Sequence, residues 1–257
     1  MGLDGTNERA QIVFPTLTTI PMTILPGDNP ATPGSSSEPI AAPHVRHYVQ
    51  RTKARAHYDR ATVNAILDAG MLAHVGFSTD SQPFVIPMLY ARDGDTLVLH
   101  GSIASRLVNQ LGSGIAACIS VTHIDGLVLA RSHFNHSANY RSVVAFGRAT
   151  LVTDPTAKAD ALARFVDALI PGRAAESRPA DRNELAATHV LRFAIEDASA
   201  KIRNGGVKDD AADLTLPHWA GVVPQRSTYG TPEPAGDLAT EVALPASLLA
   251  LLETATV

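Results

Sequence analysis

The sequence predicts a mainly β protein, a small antiparallel barrel of at least six strands with few helices. Two Asp-Gly pairs, Asp93-Gly94 and Asp125-Gly126, each lie between apolar runs. Asp-Gly in that setting is a strong hairpin signal, because both turn positions need positive φ. Two hairpins so close together favour an antiparallel sheet over a doubly wound α/β fold.

Apolar and β-branched runs between turn residues define the strands. The predicted strands are Met71 to Phe77, Phe84 to Ala91, Thr96 to His100, Ile115 to Ile124, Leu127 to Ala130, Tyr140 to Val152 and His189 to Ile195.

Three helices are predicted between these strands. Asp59 can cap the first helix, which ends at Gly70. The second runs from about Ile103 to Leu111 and has one apolar face. The third begins at Asp154-Pro155, a cap followed by a first-turn proline, and stops at Pro171-Gly172.

The chain divides into three predicted regions. Residues 1–43 hold seven of the 17 prolines, which favours an extended or disordered arm. Residues 44–224 form the barrel domain. Residues 225–257 form a tail, with a short amphipathic helix expected from Pro245 to Leu252.

Composition excludes several classes of protein. The formal net charge of −4 provides no general basic field for nucleic acid. A single cysteine, Cys118, excludes a disulfide framework and a multi-cysteine metal site. We find no bilayer-length apolar segment and no secretory leader, so no membrane association is expected and a cytoplasmic location is the default.

The first candidate site follows a strand end, from His100 to Arg106. Gly101 lets the backbone approach a ligand, and the hydroxyls of Ser102 and Ser105, the free N–H groups of a helix start and Arg106 can converge on a phosphate. The alternative is that Ser102 only caps the helix and Arg106 is a solvated charge. The segment is not a Walker loop, because the glycine spacing and the lysine are missing.

The second candidate lies at the start of the Tyr140 strand and contains Ser137, Asn139, Tyr140, Arg141 and Ser142. Alternation along a strand places Tyr140 and Ser142 on one face and Arg141 on the other. One face would address a ligand while the other meets a partner or solvent. An ordinary strand start after a polar loop explains the pattern equally well.

Three further features have weaker signals. His133 and His136 lack a third ligand at a suitable spacing, so no metal site is predicted there. A basic, glycine-rich segment runs from Lys201 to Gly206. Trp219 is either a packing anchor or a lid over a flat ring.

Taken together, these segments resemble the flavin-nucleotide-binding branch of the pyridoxamine 5′-phosphate oxidase-like split-barrel family, which includes the nitroimidazole-resistance (Nim) proteins. The resemblance covers roughly Arg55 to Pro224. The matching segments are Ala65 to Asp68, His74 to Phe77, Gln82 to Pro87, Leu99 to Ser102, Asp125 to Arg131, Asn139 to Gly147, Pro171 to Arg173 and Trp219 to Val222.

The resemblance implies a six-stranded split β-barrel that forms a homodimer, with FMN, or sometimes FAD, in a groove at the subunit interface. The segment from His100 to Arg106 would lie around the flavin phosphate, and Pro87 would line the isoalloxazine edge. Tyr140 to Ser142 would support the cofactor. Ser137, Asn139, Lys201 and Trp219 complete the predicted cofactor-binding set.

The leading functional hypothesis is a flavin-dependent oxidoreductase that acts on a small molecule, with His100 as a proton donor near the ring. The alternative from another class is a carrier that sequesters flavin or haem without turnover. His133, His136 or His100 would then be an axial haem ligand. A third option is a deazaflavin-dependent reductase. The substrate-phosphate residues of true pyridoxamine phosphate oxidases are not found, so vitamin B6 oxidation is not expected.

Overall fold

The structure is a computed structural model that describes residues 45–239 and 241–254. The predicted arm, residues 1–43, lies outside the described residues. The strands are β1 (Ala56–His57), β2 (Leu72–Thr79), β3 (Gln82–Leu89), β4 (Ala91–Asp93), β5 (Thr96–Ser102), β6 (Ala116–Leu129), β7 (Ser137–Leu151), β8 (Thr188–Arg203) and β9 (Gly221–Pro224). The helices are α1 (Arg60–Asp68), α2 (Arg106–Gly112), α3 (Pro155–Leu169), α4 (Arg182–Ala187) and α5 (Ala246–Thr254).

All the strands belong to one antiparallel sheet, in the order β3-β2-β6-β7-β8-β5-β4. β1 adds to β8, and β9 adds to β6. The predicted mainly β, antiparallel split-barrel class is confirmed. The described residues contain nine strands rather than six, because β1, β4 and β9 are short additions of two to four residues.

The sheet curls around one apolar core. Inward-facing side chains of β2, β5, β6, β7 and β8 are buried there with those of α1 and α2. A Cβ built on Gly101 of β5 would lie 4.0 Å from the methyl carbon of Met88 on β3. Strands near opposite ends of the path therefore face each other across the core, as in a barrel.

Helix α1 follows its predicted signals closely. Asp59 caps it by accepting a hydrogen bond from the backbone N–H of Thr62 at 2.8 Å. At its other end the Tyr90 hydroxyl donates to the carbonyl of Leu67 at 2.5 Å. These contacts satisfy polar groups that a helix terminus leaves without partners.

Helix α3 covers the outer face of the sheet at β5 and β8. Asp154 caps it and Pro155 occupies its first turn, as predicted. Its buried residues Ala161 and Phe165 pack against Val98 of β5 and Val190 of β8 in a second apolar cluster. This cluster lies on the side of β5 away from the main core, because Val98 alternates with the inward-facing Leu97 and Leu99.

The hairpin predicted at Asp93-Gly94 forms between β4 and β5, one residue along the chain. Asp93 pairs with Thr96, so the two-residue loop is Gly94-Asp95. Gly94 has φ of +61°, the left-handed conformation that glycine adopts readily.

The prediction of a hairpin at Asp125-Gly126 is wrong. Both residues lie inside the continuous strand β6, and Asp125 is the extra residue of a β-bulge against β7. Arg141 of β7 holds the Asp125 carboxylate with three hydrogen bonds of 2.8 to 3.2 Å. A Cβ on Gly126 would lie 2.8 Å from the carbonyl oxygen of Val223 on β9. The glycine is needed for this close approach, not for a turn.

Candidate functional site

The turn between β5 and α2 differs from the predicted phosphate loop. The helix begins at Arg106 rather than Ile103, and Ser105 is its cap, accepting from the N–H of Val108 at 3.5 Å. The hydroxyl of Ser102 accepts from the N–H of Ala104 at 3.2 Å.

The prediction that this turn offers free N–H groups is therefore wrong in part. The N–H groups of Ile103 and Ser105 bond to the carbonyls of Ala187 and Ser102. Those of Ala104 and Val108 bond to serine hydroxyls. The N–H groups of Arg106 and Leu107 have no partner among the described residues. An anion here would be held by these groups, by the serine hydroxyl protons and by the Arg106 guanidinium.

Gly101 has a packing role that the sequence did not reveal. A Cβ built on it would lie 2.8 Å from a methyl carbon of Val108 on α2. The absent side chain lets α2 sit directly on β5. The predicted approach of a ligand to the backbone of Gly101 is not needed to explain the glycine.

Arg106 is the exposed cation of this turn. Its guanidinium carbon lies 5.3 Å from the centre of the Phe84 ring on β3, a cation–π contact. No ion pair joins it to another described residue. Its charge is therefore available to an anionic ligand.

His100 faces away from the barrel interior, on the opposite side of β5 from Gly101. Its ring meets the edge of Phe165 on α3, with ring centres 4.4 Å apart. Nδ1 is buried and has no hydrogen-bond partner among the described residues. Burial lowers the pKa of His100, so the imidazole is neutral at pH 7. A neutral ring can ligate iron or accept a proton more readily than it can donate one.

The β7 candidate lies in a half-buried polar group on β7 and β8. Cross-strand pairing puts Ser142 opposite Lys201 and Tyr140 opposite Arg203 of β8. The Ser142 hydroxyl donates to the carbonyl of Lys201 at 3.4 Å. The predicted alternation agrees with the structure, because Arg141 points away from this group and binds Asp125.

The remaining predicted cofactor residues are dispersed. Pro87 is exposed on the edge strand β3, opposite His74 of β2. Asn139 accepts a hydrogen bond from Arg203, and Ser137 is exposed at the start of β7. Trp219 is 67% exposed and lies over Gly221, whose built Cβ would be 2.7 Å from the indole ring.

The loop before β7 orients one of its two histidines. Nδ1 of His136 lies 2.8 Å from the carbonyl oxygen of Ser132. A carbonyl only accepts, so Nδ1 carries the proton and Nε2 of the neutral ring has a free lone pair. The ring of His133 lies 6.4 Å from that of His136, centre to centre. The described residues contain no group of three or more metal-ligating side chains.

Two separate groups of predicted residues emerge. Ser102, Ser105 and Arg106 gather beside β3, whereas Tyr140, Ser142 and Lys201 gather on β7 and β8. Ser102 pairs with Thr188 at the start of β8, whereas Lys201 lies near the end of that strand, so the two groups lie at opposite ends of β8. Sequence reasoning missed Arg55, His57 and Lys208, which line a cavity beside Arg203. The basic segment from Lys201 was the available signal, but the first two come from a distant part of the chain.

Comparison with known proteins fixes the family. The family model described as pyridoxamine 5′-phosphate oxidase matches residues 59–202, more than half of the chain. The chain belongs to the pyridoxamine 5′-phosphate oxidase-like flavin-binding split-barrel family. This confirms the resemblance drawn from its motifs. No curated protein matches the chain.

Two solved structures are similar along nearly their whole length. The flavocytochrome Anf3 from Azotobacter vinelandii is 43% identical with a TM-score of 0.76, and the match covers 82% of this chain and 98% of that one. The FAD and heme binding protein from Mycobacterium smegmatis is 39% identical with a TM-score of 0.74, covering 77% of this chain and 97% of that one.

A more distant structure shares the fold. A Bacteroides thetaiotaomicron protein named for 5-nitroimidazole antibiotic resistance is 19% identical with a TM-score of 0.50, and the match covers 57% of this chain and 86% of that one. No helix among the described residues is long and apolar enough to cross a bilayer.

Proposed function

We propose that the protein binds a flavin nucleotide and a haem and acts as an oxidoreductase that transfers electrons to or from a small molecule. The observation that carries the proposal is the similarity, at 43% and 39% identity, to two proteins named for a flavin and a haem. FAD is the flavin named for the second of them, which favours FAD over FMN.

The flavin proposal draws on the two groups of residues described above. Arg106, with the hydroxyls of Ser102 and Ser105, would bind a flavin phosphate. Tyr140, Ser142 and Lys201 would line the other part of the site. In a homodimer, the phosphate-binding residues of one protomer and the β7 residues of its partner would contact the same flavin. Bound flavin supplies two-electron and one-electron chemistry, while the protein supplies position and electrostatics.

The loop from Arg131 to His136 fits a haem better than His100 does. His136 has the tautomer that leaves Nε2 free to ligate iron, and its orientation is fixed by Ser132. Nε of Arg131, Oγ of Ser132 and Nδ2 of Asn135 are buried without hydrogen-bond partners among the described residues. Unsatisfied donors of this kind are costly, and carboxylate groups such as haem propionates would satisfy them.

Exposed apolar surface lies close to this loop along the chain and the sheet. Phe134 is 92% exposed within the loop itself. Leu127 and Val223 pair across β6 and β9 and are 49% and 45% exposed, and Trp219 is also exposed nearby. A haem face would bury such surface favourably.

Haem ligation is tested by reconstitution of the full chain with FAD and haemin. We expect His136→Ala to lose the haem Soret band while the flavin bands remain. His133→Ala, in the same loop, is the matched control and should retain both. If both variants keep the haem band, His136 is not the ligand. If only His133→Ala loses the band, His133 is the ligand instead.

Turnover is tested separately from binding. The loaded protein is reduced anaerobically, and a small acceptor such as a quinone or nitroaromatic compound is added. Reoxidation faster than that of free flavin supports an oxidoreductase. Reoxidation no faster than free flavin across a panel of acceptors would favour a carrier that binds without turnover.

A further inference from the structure

A cavity of about 400 Å³ opens at the carboxyl end of β8. Four basic side chains line it, those of Arg55, His57, Arg203 and Lys208. None of the described residues that line it is acidic, although the whole chain carries a net negative charge. None of the four basic side chains forms an ion pair with a described residue.

The fold assembles this cavity from distant parts of the sequence. β1 pairs with the end of β8, with Ala56 opposite Lys201 and His57 opposite Ala200. That pairing brings Arg55 and His57 alongside Arg203. The chain beyond β8 then returns Lys208 to the same space.

Arg203 is the fixed element of the cavity because it is only 7% exposed. Its guanidinium donates to the carbonyls of Gly205 at 2.9 Å and Gly206 at 3.0 Å, and to the side-chain oxygen of Asn139. All three acceptors are neutral. Three of the five N–H donors are used, and the other two have no hydrogen-bond partner among the described residues.

A buried cation without a counter-charge is unfavourable, and neutral acceptors offset that cost only in part. The buried carboxylate of Asp209 shows the usual solution elsewhere in the chain, pairing with Arg131 at 2.6 Å. At Arg203 the structure provides basic neighbours instead. An anion that enters from outside would supply the counter-charge.

We infer that this cavity binds the phosphate or pyrophosphate group of a nucleotide. Arg55, Arg203 and Lys208 supply three permanent positive charges, and His57 adds a donor. This charge suits a multiply charged oxyanion better than a single carboxylate. The volume holds a pyrophosphate, while exposed Lys208 at the rim leaves the rest of a nucleotide free to extend over the surface.

The identity of the nucleotide that carries this phosphate rests on the proposed function. One source is the pyrophosphate of FAD, in which case this cavity and not Arg106 would be the flavin phosphate site. The other source is the pyrophosphate of a pyridine dinucleotide that delivers electrons, which leaves the flavin phosphate at Arg106. Both present the same chemistry to the cavity. The experiment separates them.

The first arm measures inorganic pyrophosphate binding to the full chain by isothermal titration calorimetry. Arg55→Ala and Lys208→Ala should each weaken binding by about tenfold, the loss expected for one charge-assisted contact. Arg182→Ala on α4, an exposed arginine outside the cavity, is the matched control and should bind normally. Equal affinity in all four proteins, or no binding at millimolar pyrophosphate, would overturn the inference.

The second arm uses competition. If FAD is the source, pyrophosphate displaces FAD, and the two cavity variants weaken FAD but not riboflavin. If a pyridine dinucleotide is the source, pyrophosphate binds the flavin-loaded protein and displaces NADH or NADPH. Pyrophosphate binding that depends on Arg55 and Lys208 in a protein that takes up neither flavin nor haem would refute the proposed function and uphold the cavity assignment.

Discussion

Gly101→Ala tests whether this glycine serves packing rather than ligand approach. The new methyl carbon would lie 2.8 Å from a methyl carbon of Val108, well inside normal carbon–carbon contact. Val108 is 1% exposed and Gly101 is held in the sheet opposite His189 of β8, so neither can move freely. Overpacking of this kind costs about 1 to 3 kcal/mol of unfolding free energy.

The partner substitution Val108→Ala removes the clashing methyl groups. Alone it creates a small cavity and costs about 2 kcal/mol. In the double variant the methyl group introduced at position 101 enters that space, so the second substitution should cost much less than it does in the wild type. We expect a coupling free energy of about 1 to 2 kcal/mol between the two positions.

Urea unfolding followed by circular dichroism measures all four proteins of this cycle. Flavin affinity is measured in parallel. Strictly additive unfolding free energies would refute the packing explanation. A Gly101→Ala protein of normal stability that has lost flavin would instead show that a ligand approaches this backbone.

Three further predictions concern ionisable groups. Arg106→Ala should weaken FMN by about 10- to 100-fold and leave riboflavin unchanged, because riboflavin has no phosphate; equal losses in a fluorescence titration would contradict the phosphate role. Arg141→Gln should lower the unfolding free energy by about 1 kcal/mol or less, since the pair with Asp125 is half-exposed, and the difference should shrink in 1 M salt. A salt-independent loss would argue against an electrostatic contribution. His100 has a pKa lowered by burial, so the unfolded chain binds its proton more readily and stability falls as pH drops below about 6.5. His100→Gln should remove up to about 1.4 kcal/mol per pH unit from the slope of unfolding free energy against pH. Parallel profiles for the wild type and the variant would contradict this prediction.

Local signals were sufficient where the structure depends on local contacts. Asp59 and Asp154-Pro155 predicted the starts of α1 and α3 because caps and first-turn prolines act within one turn of the helix. The antiparallel class was predicted from two Asp-Gly hairpins, of which the one at Asp93-Gly94 forms, shifted by one residue. These features require no knowledge of distant partners.

Long-range contacts decided the features that the sequence obscured. Asp125-Gly126 has the composition of a hairpin turn, but Arg141 and the β9 backbone convert it into a bulge within β6. Gly101 looked like a ligand-binding glycine because its neighbour Val108 lies seven residues away on another element. No local pattern distinguishes these cases.

The candidate site was predictable only in part, because some of its residues come from distant parts of the chain. Ser142 and Lys201 both stood out in the sequence, and the β7–β8 register brings them together. The basic cavity did not stand out, since the segment at β1 contributes Arg55 and His57 from nearly 150 residues before Arg203. The basic residues at the end of β8 form a cavity only because the fold brings Arg55 and His57 next to them.

The central claim is that this protein holds both a flavin and a haem. The most direct measurement is the visible spectrum of the purified full chain, with mass spectrometry of the released cofactors. We predict a flavin double band together with a Soret band, and masses of FAD and haem. A colourless protein that gains neither spectrum when FAD and haemin are added would contradict the proposal.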